Sequence, residues 1–187
     1  ALSRTLIHDN NRIKPIANLM FLWPTWVWKT EIPRALAKIL YNDENRDLKE
    51  TKIDCNNYQH DHEISDLIGA PVWYLWFWKE PRFSGMNIFK KFRKARSDNK
   101  LHPLISNLDD FSIVIFDEIE KAHPALFNLI LNIFDEWKVT LKSWENEDNI
   151  KNDPKDKKEK YSKYTDFRNV IIIMTSNLWA ADIQKKL

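Results

Sequence analysis

Glycine is nearly missing from this sequence, at two residues of 187, about 1% against a usual ~7%. A compact domain of alternating strands and helices needs glycine at turns and helix ends, so other residues must hold those places here. Cysteine occurs once, as Cys55, which excludes an internal disulfide and suits a reducing, cytoplasmic setting. The longest strongly apolar runs are about six residues, far short of the ~20 that a membrane span needs, so no membrane association is expected. No secretion leader opens the chain, whose first residues read as mid-pattern, as in a fragment. With 29 basic and 27 acidic residues, no charge excess points to nucleic acid.

What is present is a globular composition, 43% hydrophobic and 30% charged, sufficient for one domain with a real core. Tryptophan is in surplus, at nine residues. Strands are expected at Asn18–Leu22, Thr51–Cys55, Ser112–Glu118 and Val170–Met174. Helices are expected at Thr30–Tyr41, with Pro33 in the first turn, and at His60–Ile68, Met86–Arg96 and Ala125–Glu136, with a short one running to Leu187. The polar stretch Lys138–Lys163 reads as a solvated loop. Strands alternating with helices predict an α/β fold with a mainly parallel sheet covered on both faces.

The chain is organised around Leu19–Glu31, LMFLWPTWVWKTE. An apolar strand, a tight loop and Lys29-Thr30 at a helix start make the frame of a phosphate-binding loop, G-x-x-x-x-G-K-[ST]. Both glycine positions, 23 and 28, hold tryptophan, and Trp26 stands where many such loops carry a further glycine. Such a loop turns successive N–H groups toward phosphate through backbone angles and close approaches that favour glycine. Taken literally, the loop should not hold ATP. Downstream, Asp117-Glu118 ends a buried strand, where open α/β sheets place their sites, and two acids there need a cation or hydrogen bonds. His60-Asp61-His62-Glu63 has the residue types of a metal cluster, but its i, i+2 histidines do not share a helix face; a solvated helix start is the reading.

SIVIFDEIEKAHPALFNLILNIFDE, followed by DFRNVIIIMTSNL, resembles the second ATPase module of Clp-type AAA+ unfoldases and disaggregases. FDEIEKAHP, IGAP, TDFRN and MTSNL form the match, which runs from about Ile13 to Asp182 and departs at one longer insertion, Lys142–Lys163. The resemblance implies a P-loop NTPase fold, a three-layer αβα sandwich truncated before the helical lid. Residues 1–187 would form the incomplete large ATPase subdomain, with 138–165 as an extended polar loop. It also implies the cofactors ATP and Mg²⁺. The phosphate loop is then Trp23, Pro24, Thr25, Trp26, Val27, Trp28, Lys29 and Thr30, with Lys29 on the β- and γ-phosphates and Thr30 a metal ligand. Asp117 resembles the acid that holds Mg²⁺ through water, Glu118 the base that orients the attacking water, and Asn177 the polar sensor beside it. Tyr74 resembles the pore-loop aromatic that grips unfolded polypeptide; His123 and Arg168 match the pattern in structural roles.

The resemblance further implies a homo-oligomeric ring, usually hexameric, acting on unfolded or aggregated polypeptides. It allows a peptidase partner and gives no reason to expect nucleic acid or a membrane. All nine tryptophans fall where the family pattern has or accommodates glycine. This implies UGA codons that the organism reads as glycine and that the written sequence renders as tryptophan. The competing reading is a catalytically inactive AAA+ scaffold.

Overall fold

The computed structural model describes residues 14–22, 26–42, 51–69, 81–141 and 164–177, with backbone alone for 26–30. A four-stranded parallel sheet forms its middle. The strands are β1 (Ala17–Leu22), β2 (Lys52–Asp54), β3 (Ser112–Asp117) and β6 (Val170–Ser176), ordered β1-β6-β3-β2. Every pairing is parallel, with Leu22 beside Ser176 and Asp54 beside Asp117. The strands therefore end along one common edge of the sheet.

The central strands β3 and β6 are apolar at nearly every position because both faces are covered. Their period-two alternation feeds two cores. Val114, Phe116, Val170 and Ile172 enter one, with Leu126, Ile130 and Ile133 at helical spacing on α4 (Pro124–Glu136). Ile113, Ile115, Ile171 and Ile173 enter the other, with Ala37, Leu40 and Tyr41 of α1 (Trp26–Tyr41). Helix α3 (Gly85–Ser97) serves both, giving Ile88 and Phe89 to the first core and Phe92 and Ala95 to the second. Phe83 packs edge-on against Phe116 and Phe167, at ring separations of 6.2 and 5.7 Å. Each such buried ring stabilises by roughly 1.5–3 kcal/mol. Among the described residues no helix is long and apolar enough to cross a membrane.

The caps follow local chemistry. Ser84 accepts the N–H of Asn87 at the start of α3. His123 Nδ1 accepts from Ala125 at the start of α4, where Pro124 fills the first position, which needs no N–H partner.

Four expectations change. Helix α1 begins at Trp26 rather than Thr30, so Pro33 lies inside it and not in its first turn. Pro33 has no N–H for the Lys29 carbonyl; the extra turn forms because Trp26, Val27 and Trp28 accept helical angles where glycine would resist them. The His60–Ile68 helix is instead a 3₁₀ turn, Asp61–Ile64, followed by a single α turn, α2 (Ser65–Ile68). The polar stretch from Lys138 opens as a strand: β4 (Lys138–Thr140) pairs antiparallel with β5 (Tyr164–Asp166), because Val139 and Thr165 point inward and are buried. Strand β3 stops at Asp117, since Glu118 turns left-handed at φ 55°, ψ 53°. Residues 142–163, the terminal helix to Leu187, Trp23, Pro24, Thr25 and Tyr74 lie outside the described residues.

Candidate active site

The strand ends converge on one constellation. Asp117 is the last residue of β3, and its Oδ1 accepts from Thr175 Oγ1 at 2.5 Å on β6. The same Thr175 oxygen accepts the Glu118 N–H at 3.1 Å. One hydroxyl thus fixes both the first carboxylate and the backbone turn that aims the second. Asp117 Oδ2 meets Lys52 Nζ of β2 at 2.6 Å.

Glu118 is held from two sides. Asn177, just past β6, donates Nδ2 to Oε1 at 2.8 Å. Asn56, in the 3₁₀ turn after β2, donates Nδ2 to Oε2 at 2.6 Å. Asn56 is itself placed by Asp54, whose Oδ1 accepts both its N–H and its Nδ2, at 3.0 and 2.9 Å. The Asn177 N–H goes to Glu120 Oε1 at 2.9 Å. A non-glycine residue at positive φ stores strain, and such strain collects at functional positions. The Glu118 N–H bond to Thr175 and the amide bonds from Asn177 and Asn56 hold Glu118 in that conformation.

Beneath the edge lies Cys55, fully buried. Burial pushes its thiol up to about 12, helped by the negative charges of Asp54, Asp117, Glu120 and Glu118. The thiol stays neutral at physiological pH and is no nucleophile.

Of the residues expected from sequence, the structure brings Asp117, Glu118 and Asn177 together. The segment carrying Trp26, Val27, Trp28, Lys29 and Thr30 follows β1, which ends beside Ser176, and is helical from Trp26 onward. Lys52, Asn56 and Thr175 escaped sequence reasoning as site residues. For Asn56 and Thr175 the signal was position, at or near the carboxyl ends of strands that flank an acidic strand end; Lys52 opens β2 and is brought in by its reach along that strand.

The donor set suits Mg²⁺. The carboxylate of Asp117 is a hard oxygen ligand, and it already meets a cation in the form of Lys52. Among the described residues no three His, Cys, Asp or Glu side chains form a cage of their own. Lys29 and Thr30 near the start of a helix are the residue types that hold phosphate.

Residues 82–83 are clamped to residues 66–67 by backbone hydrogen bonds. Arg82 N–H donates to Asp66 O at 3.0 Å and Phe83 N–H to Leu67 O at 2.9 Å. Tyr58 OH donates to Asp66 Oδ2 at 3.0 Å and accepts from Arg82 Nη1 at 3.2 Å. Gly69 caps α2 at φ 95°, ψ 152°. His123 and Arg168 hold structure: the His123 N–H donates to Tyr58 O at 2.8 Å, and Arg168 forks onto Asp166 while lying 4.5 Å over the Trp137 ring. Trp137 caps α4 with φ 52°, ψ 8°, a left-handed position that glycine ordinarily takes.

A family model described as "AAA domain (Cdc48 subfamily)" matches residues 105–187. The chain is 34% identical over 185 residues to the chaperone protein ClpB of Bacteroides thetaiotaomicron, covering 99% of this chain and 17% of that protein. It is 34% identical over 183 residues to ClpB 2 of Thermosynechococcus vestitus, covering 98% of this chain and 16% of the relative. Over 171 residues it is 33% identical to the ATP-dependent Clp protease ATP-binding subunit ClpC of Staphylococcus aureus, 91% of this chain and 16% of that one. The chain therefore spans about one sixth of the length of these relatives.

Proposed function

The chain belongs to the Clp-type AAA+ ATPases, and from that premise we propose that it is the ATP-binding and ATP-hydrolysing module of a ring-forming chaperone that threads polypeptide through a central pore. The observation that carries this reading is Glu118, fixed by Asn56 and Asn177 beside Asp117 at the end of buried parallel strands.

The roles follow from that geometry. By the family likeness Lys29 would contact the β- and γ-phosphates, and Thr30 and Asp117 would hold Mg²⁺, which neutralises phosphate charge when bound. Glu118 orients a water and accepts its proton as the new O–P bond forms at the γ-phosphorus and the bond to the β-phosphate oxygen breaks, releasing ADP. Asn177 keeps the Glu118 carboxylate on that line. Tyr74 would grip an unfolded or aggregated polypeptide, together with its copies in a homo-oligomeric ring. A peptidase partner is compatible with the likeness to the ClpC subunit. A reducing cytoplasm suits the single thiol.

A second reading is favoured by one observation, the helix that starts at Trp26. With tryptophan at 26 and 28 those positions are spent on an extra helical turn, and the chain as written is an inactive scaffold. Binding of a fluorescent ATP analogue separates the two. The written chain should bind none, and the variant with Trp23→Gly, Trp26→Gly and Trp28→Gly should bind, losing affinity again with Lys29→Ala. Failure of the triple variant to bind would overturn the nucleotide reading. The nine tryptophan codons give an independent test: UGA is expected throughout, and a substantial number of UGG codons contradicts the glycine reading.

A further inference from the structure

In register, Asp54 of β2 lies directly beside Asp117 of β3. Two carboxylates in that position repel. Lys52 stands two residues before Asp54, on the same face of the sheet, and a lysine stem is long enough to run that distance along the strand. Its ammonium reaches Asp117 Oδ2 at 2.6 Å. The other Asp117 oxygen is taken by Thr175, so both oxygens of the carboxylate have protein partners.

The lysine is also held from behind, because its backbone carbonyl accepts Arg82 Nη2 at 2.6 Å. The ion pair is partly shielded, with side chains 37% and 21% exposed for Lys52 and Asp117. The pair stands on an anchored strand at contact distance and is partly shielded, so salt screens it less than a fully exposed pair.

We infer that Lys52 is the resident cation of Asp117, a positioning residue that competes with a divalent ion for this carboxylate and so sets how weakly the ion binds by itself; this role rests on the metal role proposed for Asp117. A divalent ion approaching Oδ2 must displace the ammonium or settle beside a like charge, and either costs affinity. Phosphate charges brought by a nucleotide would offset that cost, which ties occupancy of the ion to occupancy of the nucleotide.

The test uses the 187-residue chain without nucleotide, with Mn²⁺ as probe and free Mn²⁺ read by electron paramagnetic resonance. Lys52→Met, which keeps the stem and removes the charge, should tighten Mn²⁺ binding by about tenfold, the order set by one unit charge at contact range in a water-rich surround. Lys52→Arg should behave as the parent, and Asp117→Asn added to Lys52→Met should abolish the gain. Lys52→Gln provides the same charge removal should the methionine variant fold poorly. Unchanged or weaker binding in both neutral variants overturns the role of Lys52. If Asp117→Asn then still weakens Mn²⁺ binding in the parent, the metal role of Asp117 stands without it. Mn²⁺ binding indifferent to Asp117 in every background overturns both.

Discussion

Asn56 donates its side-chain amide to Glu118 at 2.6 Å across 62 residues of chain. Neither residue could reach the other without the β2–β3 pairing that brings Asp54 beside Asp117. The bond fixes one oxygen of the proposed base while Asn177 fixes the other. In a ring-forming full-length protein with glycine at 23, 26 and 28, Glu118→Gln should retain ATP affinity and lower turnover by about 10²-fold or more. Asn56→Ala should lower it by roughly tenfold, the worth of one hydrogen bond to a charged group. Phosphate release measured beside nucleotide affinity checks both. Equal losses of binding and turnover would contradict the assignment.

Gly69 sits at φ 95°, ψ 152°, angles open to glycine alone. Gly69→Ala should therefore cost about 1–3 kcal/mol, read as a lower urea midpoint. Gly85, within a helix and with Phe89 carbons at 3.9 Å or more from an added Cβ, should accept alanine without loss. A similar midpoint for both variants would refute the backbone argument.

Trp137 offers the reverse experiment. Its left-handed backbone costs roughly 1–2 kcal/mol for a residue with a Cβ, partly offset by the Arg168 guanidinium over its ring, about 0.5–1 kcal/mol. Trp137→Gly should raise stability by about 0.5–1 kcal/mol, since relief of the backbone exceeds the lost stacking. Trp137→Ala should lower it by about the same amount, because the strain stays and the stacking goes. Chemical unfolding of the three proteins decides the order.

Cys55 predicts a pH dependence. Its thiol rises from 9.0 to about 12 in the folded protein, so the unfolded chain releases the proton first. The contribution to stability is complete below pH 9 and declines as pH rises toward 12. Unfolding midpoints should fall between about pH 8 and about pH 10.5. The fall should be smaller in Cys55→Ala, with buried Tyr58, also raised to about 12, supplying part of the remainder. Iodoacetamide at about pH 8 should label Cys55 only after unfolding, because the native thiol is buried and neutral. Rapid labelling of the native protein would count against that burial.

The parallel α/β sheet is legible in local pattern. Fully apolar runs at 113–116 and 170–173 form strands covered on both faces, and the caps at Ser84, His123 and Pro124 act within a turn of their own position. Asp117 and Glu118 stand out in the same way, because polar groups at the end of a buried strand are costly without a cation or hydrogen bonds, whereas Asn177 is singled out by the family resemblance. What those groups touch depends on the folded arrangement. Lys52, Asn56 and Thr175 lie 58 to 65 positions from their carboxylate partners, and nothing in local pattern selects them until strand register fixes who stands beside whom. The same holds for β4, which pairs with β5 across an intervening polar stretch. It holds too for Trp137, which adopts a glycine's angles, since a packed helix end can impose a conformation that the residue's own preference would refuse.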